Sequence, residues 1–310
     1  MPAKLSEVWP EIERVAREEG VLHVGASDLE DAHADVFAQW IERGHHASMS
    51  YLSKNAAVRS NPRERYPWAR SVLVILVPYS AERPHAPEHA LSHHLARYAL
   101  GDDYHDVLDR ILRKFESLFA GAKTWRYVDT GPLSDRSYAA QSGLGWIGKN
   151  GMLIHEEHGS YFFIGTLLTS LENDISAATV ADRCGACTRC LDACPTNAIL
   201  PDRTLDSARC ISYATIEHRG PLDLDVASNA FGCDICQEVC PWNHAPAPTH
   251  PAFAPRDEYR ATPITDLLRF TQSDFSTLFR KSAIKRAKLA GMLRNVEALT
   301  GAGDRGMLKS

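Results

Sequence analysis

The sequence contains no long hydrophobic run and carries little net charge. None of its apolar stretches approaches the roughly 18 residues that a membrane-spanning helix needs, so we expect no membrane span. No secretory segment opens the chain, which predicts a cytoplasmic protein. The net charge of −5 argues against a general nucleic-acid coat. Internal repeats are also lacking, apart from two cysteine motifs.

Eight cysteines are concentrated in the second half of the chain. The first motif is C-G-A-C-T-R-C-L-D-A-C-P, the second is C-D-I-C-Q-E-V-C-P, and one cysteine lies between them. The first motif has the spacing C-x2-C-x2-C-x3-C-P of bacterial two-cluster ferredoxins, in which the fourth cysteine crosses to the other cluster. Eight thiolates are enough for two [4Fe-4S] clusters.

The crossing-over predicts two ligand sets. One cluster would be held by Cys184, Cys187, Cys190 and Cys240, and the other by Cys194, Cys210, Cys233 and Cys236. Cys210 lies far upstream of Cys233, where a ferredoxin has a spacing of two residues, and a wrapped, inserted segment would explain the gap. Zinc is an alternative because C-x2-C pairs also build zinc ribbons, and disulfides are a weaker one in a cytosolic chain. The third C-x2-C step and the proline after the last ligand favour iron–sulfur.

The length of 310 residues and the 44% hydrophobic content fit about two domains. Residues 1–178 alternate helical and extended patterns, which predicts an α/β (α+β) domain with a mixed sheet covered by helices. The β-branched run Ser71–Pro78 is typical of a strand buried on both faces, and a further strand is expected over Tyr161–Thr169. Residues 179–248 form the predicted double-cluster domain. Residues 249–310 are predicted to form a short helical segment, with its last helix over Ala283–Leu299. We call the part from residue 279 onward the basic segment, because it carries eight Lys or Arg against two acidic residues.

Two loops of the first domain contain residues suited to chemistry. Gly143-Leu-Gly145-Trp-Ile-Gly148 matches G-x-G-x-x-G, but an extended pattern follows it, which disfavours a dinucleotide site and favours close approach of a large ligand. Lys149 and Asn150 would offer side chains to that ligand. The loop Asp129-Thr-Gly-Pro-Leu-Ser-Asp-Arg136 follows a predicted strand. From the residue pattern alone, Asp135 could be a reactive carboxyl group or could simply pair with Arg136.

The ordered motifs resemble those of the epoxyqueuosine reductase family over nearly the whole chain. They are R-Y-A-L-G-D-D-Y-H, V-D-T-G-P-L-S-D-R, G-L-G-W-I-G-K-N, C-G-A-C-T-R-C-L-D-A-C-P-T-N-A-I, C-I-S-Y-A-T-I-E-H-R-G and F-G-C-D-I-C-Q-E-V-C-P-W-N. The resemblance implies a cobalamin-dependent reductase with two [4Fe-4S] clusters. Such an enzyme removes the epoxide oxygen from the modified wobble base of tRNA and leaves queuosine.

The resemblance also implies roles for single residues. Asp135 matches the proton donor of the family, and it also lies at the cobalamin-binding surface. The other residues of that surface would be Arg59, Tyr98, Lys149, Asn150, Thr169, Ser212 and Tyr213. Some longer members end in a helical-repeat domain that grips tRNA. In this chain we expect the basic segment to contact tRNA through Lys281, Lys285, Arg286, Lys288 and Arg294.

Two other functional classes remain open at the level of sequence. A two-cluster electron carrier would need neither a ligand loop nor a basic segment. A reductive dehalogenase-like enzyme would also join a corrinoid to two clusters, but such proteins usually bear a twin-arginine signal, which M-P-A-K-L-S-E-V-W-P lacks. We expect a monomer that receives electrons from a low-potential donor yet to be identified.

Overall fold

A central sheet organises the first half of the chain. The computed structural model describes residues 3–79, 83–244 and 248–301. Its strands are β1 (His23–Asp28), β2 (Ser71–Pro78), β3 (Thr124–Tyr127), β4 (Trp146–Ile147), β5 (Leu153–Ile154) and β6 (Phe162–Thr169). Four of them form one sheet in the order β1-β2-β6-β3, and β4 pairs with β5 in a small separate hairpin.

The prediction of a mixed sheet is wrong, because every pair of neighbouring strands in the four-stranded sheet is antiparallel. Ser71 of β2 lies opposite Thr169 of β6, and Pro78 lies opposite Phe162. The apolar run of β2 correctly indicated that both of its faces are buried, since all eight residues are buried. Burial of both faces is common in parallel sheets, but helices can cover both faces of an antiparallel sheet as well.

Helices lie on both faces of this sheet. In chain order they are α1 (Trp9–Glu18), α2 (Ala34–Glu42), α3 (Ser50–Lys54), α4 (Ala56–Ser60), α5 (Tyr104–Glu116) and α6 (Asp135–Gln141). Leu73, Ile75 and Val77 of β2 pack in one core with α1 and α5. The intervening Val72, Val74 and Leu76 pack in a second core with α6, because successive side chains of a strand point to opposite faces.

The second half of the chain is built from short helices around the cysteine motifs and a C-terminal group. They are α7 (Arg189–Ala193), α8 (Ile211–Ile216), α9 (Ile235–Glu238), α10 (Asp257–Ala261), α11 (Gln272–Leu278) and α12 (Lys288–Thr300). Tyr259, Phe279 and Val296 of the C-terminal group share a core with Leu95 and Phe231. Residues 249–301 therefore pack against the rest of the protein, and the predicted domain boundaries at 178/179 and 248/249 stay predictions.

The basic segment was expected to form one helix over Ala283–Leu299, but it is interrupted. A 3-10 turn covers Ala283–Ala287, and α12 begins at Lys288, whose φ of +60° departs from helical geometry. Residues 302–310, which include Arg305 and Lys309 of the predicted basic segment, lie outside the described residues. In the described ranges, no helix combines the length and the apolar character needed to cross a bilayer.

Candidate active site

Asp135 begins α6 directly after the loop that leaves β3. Its Oδ1 accepts a hydrogen bond of 3.4 Å from the Thr166 hydroxyl on β6, which holds the carboxyl group against the central sheet. Arg136 turns away and donates to the backbone carbonyl of Gly151. The interpretation of Asp135 as the ion-pair partner of Arg136 is therefore wrong, and the carboxyl group is available for another role.

Burial, with a smaller contribution from the nearby Asp129 carboxylate, raises the pKa of Asp135 to about 7. The guanidinium groups of Arg59 and Arg136 and the hydrogen bond from Thr166 oppose this rise. Because burial outweighs the two cations, a large share of Asp135 is protonated at neutral pH. A carboxyl group that keeps its proton near pH 7 is suited to general acid catalysis.

Arg59 holds the loop between β3 and α6. Its guanidinium group donates to the carbonyls of Gly131, at 2.9 Å, and Leu133, at 2.7 Å. Asp129 in the same loop adopts a φ of +57° and accepts a hydrogen bond of 2.7 Å from the Tyr104 hydroxyl. Sequence reasoning did not single out Asp129 or Tyr104, since only the fold brings α5 to this loop. For Asp129, the available sequence signal was a carboxylate that follows a predicted strand.

The glycine-rich motif contains the extended residues of β4 and is followed by a turn and β5, with no helix after it, as expected for a loop that is not a dinucleotide site. At Gly145, with φ of +146°, a Cβ atom would lie 2.1 Å from the Ile154 carbonyl oxygen, so only glycine fits. Lys149 Nζ donates to the carbonyls of Gly185, at 2.7 Å, and Cys187, at 2.9 Å. Asn150 Nδ2 donates to the Cys236 carbonyl at 3.3 Å. These contacts tie the loop to both cysteine motifs, a role that the sequence did not reveal.

Four cysteines surround one cavity. Cys184, Cys187 and Cys190 of the first motif line it together with Cys240, the last cysteine of the second motif. Thiolate ligands in this number are what a [4Fe-4S] cluster requires. The grouping matches the crossed ligand set, which we retain as a proposal.

The other four cysteines also lie near one another. Burial raises the pKa of the Cys233 thiol to about 12, and the thiols of Cys210 and Cys194 add to the effect. Burial likewise raises the pKa of Cys236, with Cys233 and Cys210 contributing. The raised pKa values mean that these thiols are costly to ionise on their own. Cationic iron would lower the pKa values by stabilising the thiolates, as metals do for coordinating thiols. These residues therefore suit the second cluster.

The remaining residues of the predicted cobalamin surface lie in different surroundings. The backbone N–H groups of Ser212 and Tyr213 partly offset the rise that burial causes in the pKa of the Cys210 thiol, and the Tyr213 hydroxyl forms a 2.6 Å hydrogen bond with Ser48. Tyr98 packs against Tyr104 and Phe231. Thr169 is fully buried, and its hydroxyl accepts a hydrogen bond from the Leu171 N–H. The structure therefore gives Thr169 no face that is open to a ligand.

The side chains of the basic segment differ in their partners. Lys281, Lys285 and Lys288 are exposed, and none of the three forms an ion pair with a described residue. Arg286 is exposed as well, but it pairs with Glu217 at 2.8 Å and lies over the Tyr51 ring. The Asp129 carboxylate contributes to the raised pKa of Arg286, after Glu217, which has the largest effect. Arg286 therefore lies within electrostatic range of the loop that leads to Asp135.

Arg294 is occupied by the protein itself. Its guanidinium group donates to the carbonyls of Ala214, His218 and Gly220 and to Asn295 Oδ1, at 2.7–3.1 Å. These bonds use all five N–H groups, and burial lowers the pKa of Arg294. We therefore no longer assign Arg294 to tRNA and instead interpret it as the residue that fixes α12 to the segment after α8.

We expect Arg294→Ala to lower the free energy of unfolding by about 2–3 kcal/mol, because it leaves several partly buried carbonyl groups without a charged donor. Lys288→Ala, six residues earlier on the exposed surface, should change it by less than about 0.5 kcal/mol. Melting temperatures of the two cluster-loaded variants test this difference. Equal melting temperatures would contradict the structural role.

The partly buried carboxyl group of Asp135, the helix-covered antiparallel sheet and the eight clustered thiols define the class of the protein, a redox protein with a double [4Fe-4S] centre. Residues 183–243 match the family described as 4Fe-4S double cluster binding domain, and residues 59–130 match epoxyqueuosine reductase QueG, DUF1730. The chain is 38% identical over 294 residues to the epoxyqueuosine reductase of Synechocystis sp., covering 90% of this chain and 99% of the relative. The chain belongs to the epoxyqueuosine reductase family.

Solved structures of the family share its fold. One shows an epoxyqueuosine reductase with a tRNA-Tyr epoxyqueuosine-modified tRNA stem loop. It has a TM-score of 0.87 and 28% identity, and the match covers 95% of this chain and 81% of that one. A second, from Bacillus subtilis, has a TM-score of 0.83 and 27% identity and covers 95% and 81%. Its catalytic aspartate loop is described as swung out of the active site.

Proposed function

We propose that this protein reduces epoxyqueuosine to queuosine in tRNA and that Asp135 supplies the proton. The observation that carries the proposal is a partly buried carboxyl group with a pKa of about 7, next to a loop whose Lys149 and Asn150 contact both cysteine motifs. A proton source and an electron relay thus meet in one molecule. Membership of the family supplies the substrate.

The reaction balances with two electrons and two protons. Both carbon–oxygen bonds of the epoxide break, the carbon–carbon double bond of the cyclopentene forms, and the oxygen leaves as water. Each [4Fe-4S] cluster passes one electron at a time, and bound cobalamin would supply low-valent cobalt as the reductant of carbon. The chain itself positions the base, excludes water and delivers the Asp135 proton to the departing oxygen.

The residues around Asp135 fit an amide-rich cofactor such as cobalamin. The buried Nε of Arg59 has no hydrogen-bond partner among the described residues, although buried donors are normally paired. Its other nitrogens already hold the loop before α6, so the free donor is presented by a fixed group. Tyr98, Ser212 and Tyr213 belong to the same proposed surface. Lys149 and Asn150 would support it from behind through their contacts with the cysteine loops.

Cobalamin binding separates this proposal from a two-cluster electron carrier. We expect cluster-loaded protein to bind one cobalamin per chain, with Arg59→Ala weakening the binding and leaving the iron content unchanged. Corrin absorbance retained after gel filtration, together with iron analysis, measures both quantities. The exposed Arg17 on α1, on the opposite face of the sheet, provides the control Arg17→Ala. A fully loaded wild-type protein that retains no corrin would favour the electron carrier.

We further propose that the exposed lysines near the loop of Asp135 contact tRNA phosphates. Lys281, Lys285 and Lys288 are exposed, and neighbouring Arg286 lies beside Tyr51 and Glu217. Neutralised phosphates release counterions, so binding that depends on these lysines must weaken as the salt concentration rises. Because the substrate is tRNA, we propose that the reaction takes place in the cytoplasm. We also propose that the enzyme is a monomer and that it receives its electrons from a low-potential donor.

Replacing Lys281, Lys285 and Lys288 with Ala together should weaken tRNA binding and flatten its salt dependence. The slope of log K against log salt should fall by about 1 for each phosphate contact that is lost. Binding of an unmodified anticodon stem loop at several salt concentrations gives the slope. The control is the double variant Arg17→Ala with Lys123→Ala, which removes exposed charge elsewhere and should leave the slope unchanged. An unaltered slope in the triple variant would show that the three lysines do not contact tRNA phosphates.

A further inference from the structure

Three histidines meet away from the site described above. His23 is the first residue of β1, and His155 and His158 belong to the turn between β5 and β6. We call these three residues the histidine triad. One nitrogen from each ring lies within 4.8 Å of the nitrogens of the other two, and each residue is partly buried. The sequence pattern does not indicate this group, because His23 lies more than 130 positions before His155 and His158.

The histidine triad contains one buried ring nitrogen without a hydrogen-bond partner among the described residues. The buried Nε2 of His23 has no partner among the described residues, which is unusual for a buried polar atom. The ring of His23 stacks on that of His155 with centroids 4.0 Å apart, and the His158 ring lies 5.1 Å from His155. Imidazole nitrogens are common metal ligands.

The backbone fixes the positions of these rings. His23 lies opposite Leu76 in the central sheet. His155 and Gly159 exchange backbone hydrogen bonds of 2.7 and 3.0 Å, which close the turn that carries His158. Gly159 has a φ of +67°, and a Cβ atom there would lie 1.9 Å from Asn243 Oδ1, so the turn is also held against the residues after Cys240.

From this geometry we propose that the histidine triad binds one divalent transition-metal ion, with zinc as the best match. Three imidazole nitrogens and an open fourth position suit the tetrahedral coordination of Zn²⁺. With Zn–N bonds near 2.0 Å, tetrahedral nitrogens lie about 3.3 Å apart. Because the ring nitrogens of the histidine triad lie within 4.8 Å of one another, the separations must close by at most about 1.5 Å. Rotation of the imidazole side chains about their own torsions can supply this movement without a change in the backbone.

Acidic neighbours complete the surroundings of the proposed ion. Glu157 Oε2 lies 3.8 Å from His158 Nε2 and can orient that ring or occupy the fourth position. The Glu157 N–H donates to His155 Nδ1 at 3.2 Å. If His155 binds the ion through Nδ1, the bond to the metal replaces this solvent-exposed hydrogen bond. Binding through Nε2 instead requires the tautomer of His155 that carries its proton on Nδ1. The bound ion would join the start of β1 to the turn that packs beside the cysteine domain.

Zinc and iron analysis of anaerobically purified, cluster-loaded protein tests the proposal. After incubation with zinc and desalting, wild type should retain one zinc per chain beyond its iron. His155→Ala and His158→Ala should bind zinc at least about tenfold more weakly with unchanged iron content. His89→Ala is the matched control, because His89 is exposed and lies outside the histidine triad. It should bind zinc as wild type does.

X-ray absorption at the zinc edge of the wild-type protein supplies a measurement that does not depend on how the variants fold. Three imidazole nitrogens at about 2.0–2.1 Å support the proposal, whereas sulfur at about 2.3 Å would place zinc on the cysteines and overturn it. Equal zinc retention in wild type and in both triad variants would also overturn it, as would a wild-type protein that retains no zinc.

Discussion

Replacing Asp135 with Asn should reduce turnover of epoxyqueuosine by about 10²- to 10⁴-fold, the usual contribution of general acid catalysis. Asn keeps the shape of the side chain and can still contact Thr166, but it cannot donate an acidic proton. Both clusters, cobalamin binding and tRNA binding should be retained. Single-turnover loss of the epoxide by cluster-loaded protein measures the effect. Near-normal turnover in a folded Asn variant would assign the proton to another group or to water.

The pH dependence gives an independent test of the same role. Asp135 must be protonated to act as an acid, and its pKa of about 7 predicts that the rate falls as pH rises through 7. Asp129 contributes to that raised pKa, so Asp129→Asn should move the fall to lower pH. Asp106→Asn, at an exposed position of α5, should leave the profile in place and serves as a control.

The raised pKa of Asp135 also has a consequence for stability. Between the normal pKa of 3.8 and the folded value of about 7, the folded state binds more protons than the unfolded state. The stability contributed by the neutral carboxyl group is therefore complete below pH 4 and is lost as pH rises to 7. Asp135→Asn removes this dependence, so the variant should melt no lower than wild type at pH 8. A marked loss of melting temperature at pH 8 would indicate a structural role.

The crossed ligand sets predict which cysteine pairs act together. A double variant that removes two ligands of one cluster should keep the other cluster, and hence about four of the eight irons. We expect this result for Cys194→Ala with Cys233→Ala, and for Cys240→Ala with Cys184→Ala. In contrast, Cys194→Ala with Cys184→Ala removes one ligand from each cluster and should damage both.

Iron and sulfide analysis of anaerobically purified variants, with spectroscopy of the reduced clusters, distinguishes the two arrangements. If each motif instead held its own cluster, Cys194→Ala with Cys184→Ala would keep four irons and Cys194→Ala with Cys233→Ala would lose both clusters. That reversed pattern would contradict the crossed sets. Two zinc ions per chain and no iron or sulfide would contradict the iron–sulfur assignment altogether.

Local patterns in the sequence predicted several elements of the fold well. The expected strand Ser71–Pro78 has those bounds in the structure, and the strand expected over Tyr161–Thr169 is found at Phe162–Thr169. The direction of the strands was not predictable, because a fully apolar strand indicates that both faces are covered and not which way its neighbours run. The break at Lys288 was likewise hidden, since a positive φ at lysine has no sequence signature.

Parts of the site whose chemistry depends on the spacing of residues along the chain were predictable from the sequence. Parts that depend on contacts between distant residues were not. The cysteine spacing gave the iron–sulfur class directly. The carboxyl group of Asp135 was singled out, but its separation from Arg136 depends on how α6 meets Gly151. The sequence analysis likewise assigned Lys149 to cofactor binding and Arg294 to tRNA binding. In the structure, both side chains donate to backbone carbonyls of residues far along the chain. Such partners are set by the packing of loops and follow no periodic pattern.

The most direct test is an anaerobic assay of cluster-loaded protein with cobalamin, a low-potential reductant and tRNA from a strain that accumulates epoxyqueuosine. Nucleosides released from the tRNA are then analysed by mass. The account predicts that epoxyqueuosine is converted to queuosine, with the loss of one oxygen atom, and that the conversion requires cobalamin. Unchanged epoxyqueuosine with a protein that carries both clusters and bound cobalamin would contradict it.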